Sequence, residues 1–126
     1  MKKLIFTAVL IFAAHVMADP VTFQWNQDTP SLASLSHWSL KVRSTPDGEI
    51  ENAIDVPYSG EVEPSYTSTQ TITVVGTPGS TVRKFFTVTA WSKNGQESGE
   101  SNQIFKDFVV PWDDVKVPVQ FTITIQ

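Results

Sequence analysis

From residue 21 onward, apolar and polar residues alternate with a period of two, the spacing of strands that turn one face to a core. In VTFQWN, Val21, Phe23 and Trp25 share one face while Thr22 and Gln24 share the other. In HWSLKVRS, Trp38, Leu40 and Val42 alternate with Ser39, Lys41 and Arg43, which reads as one buried and one wet face. NQDTPSLASLS between them is a polar loop carrying Pro30. TPDGE (45–49) holds an Asp-Gly turn signal, and AIDVPYSG is a short strand that Pro57 confines to an edge. The hydroxyl-rich strand YTSTQTITVVG ends at Gly76 and is followed by the turn TPGS. RKFFTVTA sets Lys84, Phe86, Val88 and Ala90 against Arg83, Phe85, Thr87 and Thr89, and NQIFKDFVVP is a last framework strand stopped by Pro111. No sustained helical period interrupts these strands, so the expected fold is an all-β antiparallel sandwich, with a small barrel as the neighbouring solution.

The C-terminal stretch VKVPVQFTITIQ repeats the pattern at unusual length. Val115, Val117, Val119, Phe121, Ile123 and Ile125 alternate with mostly polar residues to the last position. Such a strand is an aggregation hazard unless it joins a sheet, either its own or that of another copy by self-association.

The first twenty residues, MKKLIFTAVLIFAAHVMADP, have a different character. Two lysines precede an apolar run from Leu4 to Ala14, and Val16 and Ala18 supply small residues at a cleavage-like position. This is the pattern of a secretory signal peptide of bacterial type over residues 1–18. The run falls short of the about 20 residues that span a bilayer, so no membrane span is expected after cleavage. The protein is expected to be exported, periplasmic or extracellular. Residues 19–110 then form one sandwich domain and residues 111–126 a C-terminal extension with one strand joined to the sheet.

Charge and cysteine content narrow the partners. The chain has a formal charge of −4, and loss of Lys2 and Lys3 makes the exported part more acidic still. Nucleic-acid binding, which depends on clustered Lys and Arg, is not expected. The absence of cysteine leaves an exported domain without a disulfide, so the apolar core carries its stability.

These segments resemble the fibronectin type III family, a class of immunoglobulin-like β-sandwich. VTFQW is similar to that family's second strand with its core tryptophan, here Trp25, and HWSLKV to its third. GTPGSTVRKFFTVTAWSKNGQESGESN resembles its turn, sixth strand and following hairpin, and the similarity extends over residues 21–110. The resemblance implies a noncatalytic module that presents loops and sheet edges for protein interaction. Two features depart from it. The family's first strand is missing before VTFQW, and its tyrosine at the start of the sixth strand falls at Val82 or Lys84, depending on register.

Candidate chemistry is sparse. Beyond the signal segment His37 is the sole histidine, and no GxSxG pattern marks a serine nucleophile. A small hydrolase using His37 is the least favoured reading, and the chain is read as not an enzyme. Asp107, Asp113 and Asp114 lack the alternating spacing of a calcium loop, and one histidine without cysteine does not make a zinc site. No metal and no cofactor is expected. Surface recognition remains, with Trp91, Asn94, Trp112 and Phe85 as the candidate binding residues, for a protein partner or alternatively a surface glycan.

Overall fold

The computed structural model describes residues 15–112, and the tail strand expected over 115–126 lies outside them. Six strands and one short 3₁₀ helix follow one another as β1 (His15–Trp25), η1 (Thr29–Ser34), β2 (Leu35–Arg43), β3 (Ile50–Pro57), β4 (Tyr66–Gly76), β5 (Thr81–Ser92) and β6 (Ile104–Val109). β1 and β4 form a two-stranded antiparallel sheet, and the other four lie in the order β3-β2-β5-β6, also antiparallel. The fold is an all-β sandwich. β1 reaches back across the expected cleavage position, with His15–Ala18 opposite Gly76–Thr73.

Alternation places the core as anticipated. Phe23, Leu40, Val42, Ile72, Val74, Phe86, Phe108 and Val110 pack in one cluster between the sheets. Phe23 meets Phe86 edge-on, with ring centroids 4.9 Å apart, an arrangement favoured by the ring quadrupoles. A second cluster gathers Leu32, Leu35, Trp38, Val56 and Tyr66, and Trp25 and Val88 pack against both. The Trp38 ring lies 4.7 Å from Tyr66, 5.2 Å from Trp25 and 5.4 Å from Tyr58. The loop before β2 is more ordered than its composition suggests. Pro30 starts the 3₁₀ turn, and Leu32 leaves it to enter the second cluster.

Turns obey their chemistry with one change. In TPGS, Gly79 has φ +81° and the Ser80 N–H donates to the Thr77 carbonyl, a type II turn with Pro78 leading. In the β5 hairpin Gly95 alone takes a positive φ, whereas Asn94 stays in the ordinary region. Ser92 therefore closes a wider loop, its carbonyl accepting from Gly95 and its N–H donating to Gln96, the geometry of a type I turn followed by a glycine bulge. The tyrosine missing from β5 has a counterpart elsewhere. Tyr66 at the start of β4 donates to the Glu61 carbonyl at 2.8 Å and accepts from the Glu63 N–H, pinning the β3–β4 connection.

One expectation is overturned. The face of β2 and β5 opposite the core is not wet: Ser39, Arg43, Thr87 and Thr89 are all buried. The cover is the segment 97–101, which lies along β5 and turns its carboxylates inward over this polar face.

Candidate functional site

The segment that forms this cover also builds the pole where Trp91 stands. Ser98 and Ser101 each bond twice to β5. The Ser98 N–H donates to the Ala90 carbonyl while its Oγ accepts from the Ala90 N–H at 2.9 Å; Ser101 repeats this with Val88 at 3.0 Å. A hydroxyl thus replaces a carbonyl in the ladder, which lets a glycine-containing segment that is not a regular strand satisfy the edge.

With its backbone held, the segment carries two carboxylates over the sheet. Glu97 pairs with Lys41 at 2.8 Å and accepts from Thr89 Oγ1 at 2.7 Å. Glu100 pairs with Arg43 at 2.6 Å and accepts from Thr87 Oγ1 at 2.7 Å. Hydrogen bonding to Lys41, then to Thr89, holds the Glu97 carboxyl below the usual carboxylate range. Arg43, then Thr87, does the same for Glu100. The hydroxyls and carboxylates of this stretch are therefore structural, and they do more than keep a turn soluble.

Trp91 emerges beside this strap, opposite His37 in the β2–β5 register. Their rings stack at 5.8 Å with an interplanar angle of 10°. Next to Trp91 lies a depression of about 290 Å³ whose lining includes Gln27, Ser34, Gln96, Glu97 and Ser98. The hairpin tip, with Asn94 exposed, is tied to the end of η1 by Lys93 N–H donating to the Ser34 carbonyl. No protein-family model, curated protein or solved structure matches this chain. What the site can do is therefore read from its geometry.

His37 has two polar neighbours. Its Nδ1 shares a hydrogen bond of 3.0 Å with the adjacent Ser36 Oγ, and its Nε2 lies 4.0 Å from Asp55, a carboxylate 78% exposed. That separation exceeds hydrogen-bond reach, and the ring faces Trp91 on the other strand. Asp107 is engaged by Arg83 in a bidentate pair of 2.7 and 2.9 Å that lowers its carboxyl and raises the guanidinium. Among the described residues no group of three potential metal ligands comes together. Asp113 and Asp114 lie outside them.

The four candidate binding residues do not converge. Trp91 and Asn94 share the hairpin pole. Phe85 lies on the outer face of the larger sheet, paired with Phe105 at 6.2 Å, with Arg83 stacked 4.0 Å above the Phe105 ring. Trp112 stands at the far pole against Gly79, where a Cβ would meet its indole; it remains 68% exposed.

A second concavity was not singled out from the sequence. A groove of about 360 Å³ opens between the ends of β1 and β6, with Gln24 and Trp25 on one side, Ser101 and Ile104 on the other, and the core residues Phe23 and Phe86 in its lining. Among the described strands β1 is paired with β4 alone.

Proposed function

We propose that the chain is an exported, noncatalytic binding or scaffold module of fibronectin type III-like build, which recognises a protein partner through the pole carrying Trp91. The observation that carries the reading is the Trp91 indole, stacked on His37 beside a polar depression and held by a strapped hairpin. A flat aromatic ring with satisfied neighbours offers large contact area at little rotamer cost. The strand order, in which the Trp25 strand is paired with β4 alone among the described strands, supports the family resemblance. The lysine-headed apolar leader supports export, to a periplasm or beyond the cell.

A surface glycan is the second reading, favoured by the amide and hydroxyl groups of Gln27, Ser34, Gln96 and Ser98 around the indole. Trp91→Ala should weaken binding to the envelope component retained by the wild-type protein at least 10-fold, since a central aromatic anchor contributes about 2 kcal/mol or more. Trp112→Ala, altered at the opposite pole, should bind as wild type. Equal retention of Trp91→Ala and wild type refutes the proposal. Elution by free sugar rather than by salt would assign the site to the glycan.

A further inference from the structure

The tip of the β5 hairpin carries a reactive pair of amides. We propose that Asn94–Gly95 is a modification site, at which water converts Asn94 to aspartate and isoaspartate at a rate set by the Ser92 clasp of the turn.

The reaction joins the Asn94 Cγ to the backbone nitrogen of the next residue, so the size of that residue decides how closely the two approach. Of the four asparagines, Asn26 and Asn102 precede glutamine, Asn52 precedes alanine, and only Asn94 precedes glycine, which has no Cβ to block the approach. All four are exposed, so access to solvent does not separate them. Their settings do. Asn52 lies inside β3, paired with Val42, whereas Asn94 sits in the turn and its side chain makes no hydrogen bond among the described residues. Gly95 takes φ +81°, and no atom lies within 4 Å of the place a Cβ would occupy. That side of the residue is open to a base from solvent.

One contact restrains the nitrogen. The Gly95 N–H donates to the Ser92 carbonyl at 3.0 Å, and the Ser92 Oγ accepts from the Gln96 N–H at 3.1 Å, so one residue clasps both sides of the tip. Attack requires the clasp to open, and exposed loops with few buried contacts open at the lowest cost. Hydroxide then removes the Gly95 N–H proton, the nitrogen bonds to Cγ, and the side-chain nitrogen takes a proton from water and leaves as ammonia. A second water opens the succinimide. Cleavage of the new N–Cγ bond gives aspartate, and cleavage of the original peptide C–N bond gives isoaspartate, in which the chain runs through Cγ. No electrons are exchanged; the balance is water consumed and ammonia released. Either product adds a negative charge beside Lys93 and close in sequence to Glu97. The methylene that isoaspartate inserts into the backbone also takes the Gly95 nitrogen out of register with the Ser92 carbonyl.

The test follows mass in the full chain, kept folded at physiological pH and temperature, by digestion and peptide separation over several weeks. The expected result is a gain of about one mass unit, amide to acid, confined to the peptide that holds Asn94. It should appear in two forms of equal mass that elute apart, faster as pH rises, with Asn26, Asn52 and Asn102 unchanged. Asn94→Gln, an exposed change in the turn, should abolish the gain because the longer side chain closes a less favourable ring. Ser92→Ala keeps the carbonyl but removes the Oγ contact, and should speed conversion about 5-fold, the effect of one hydrogen bond. An Asn94 peptide that keeps its mass in the folded chain while the same chain converts in urea would overturn the proposal. Equal conversion at Asn102 would overturn it too, and an unchanged rate in Ser92→Ala would overturn the role of the clasp. None of these results depends on whether Trp91 binds a partner.

Discussion

Replacing Glu100 by Gln tests whether the segment 97–101 is a stabilising strap. The Arg43 side chain is only 9% exposed, whereas its partner Glu100 is 40% exposed. Breaking a fully buried ion pair costs about 3–5 kcal/mol, and an exposed pair contributes at most about 1 kcal/mol. Here the guanidinium is left buried but retains its Nε bond to the Gly48 carbonyl at 2.9 Å and its contact with Thr87 Oγ1. Water can reach the vacated side through the exposed carboxylate position. The cost should therefore fall between the two limits, about 1.5 kcal/mol, or roughly 6–12 °C in Tm for a domain of this size. The assay is thermal and urea unfolding followed by circular dichroism from pH 7 to pH 3. Glu97 and Glu100 titrate lower in the folded protein than in the unfolded chain. Their contribution is complete above the unfolded carboxyl pKa of about 4.3 and is lost as pH falls through the lower folded values. Wild type should lose stability across that window, and Glu100→Gln should lose less because its deficit is already present at pH 7. A Tm within 2 °C of wild type at pH 7, together with an unchanged pH slope, would refute the strap.

Two further substitutions probe the pins of the fold. Tyr66→Phe removes the hydroxyl that bridges Glu61 and Glu63; it should cost about 1–2 kcal/mol and speed limited proteolysis between Tyr58 and Ser65. Ser98→Ala and Ser101→Ala should each accelerate amide exchange about 10-fold at one β5 position, Ala90 in the first and Val88 in the second, because each serine hydroxyl accepts that N–H. Exchange unchanged at both positions would show that the hydroxyls are not part of the ladder.

The strands were legible because period-two alternation is local. YTSTQTITVVG matches β4 from Tyr66 to Gly76, and Pro57 placed β3 at an edge. β1 reads as starting at Val21 because residues 1–18 carry the pattern of a signal segment, yet pairing with β4 extends it to His15. The buried polar face was not legible. Lys41, Arg43, Thr87 and Thr89 have the composition of a solvated face, and only tertiary pairing brings Glu97 and Glu100 over them. A trace existed in retrospect: two glutamates three residues apart lie downstream of two cations separated by one residue. The Trp91 site was half legible. Alternation put Trp91 opposite Val88 and Ala90, but the stacking on His37 depends on the β2–β5 register, which no single strand encodes.

The strap bears on the proposed recognition as well as on stability. A hairpin that carries a binding aromatic on a loose loop loses much of its contact energy in ordering that loop. Here Trp91 is fixed from four directions: by pairing in β5, by His37, by the Lys93 bond to Ser34, and by an isolated bridge to Glu97, whose carboxylate is itself held by Lys41. The charges that make the polar face a costly place to bury thus also anchor the segment that presents the indole. Under the proposed role of Trp91, loosening the strap should therefore weaken binding even though Glu100 lies away from the depression, linking the acid-sensitive carboxylates to the Trp91 pole through the fold rather than through contact with a partner.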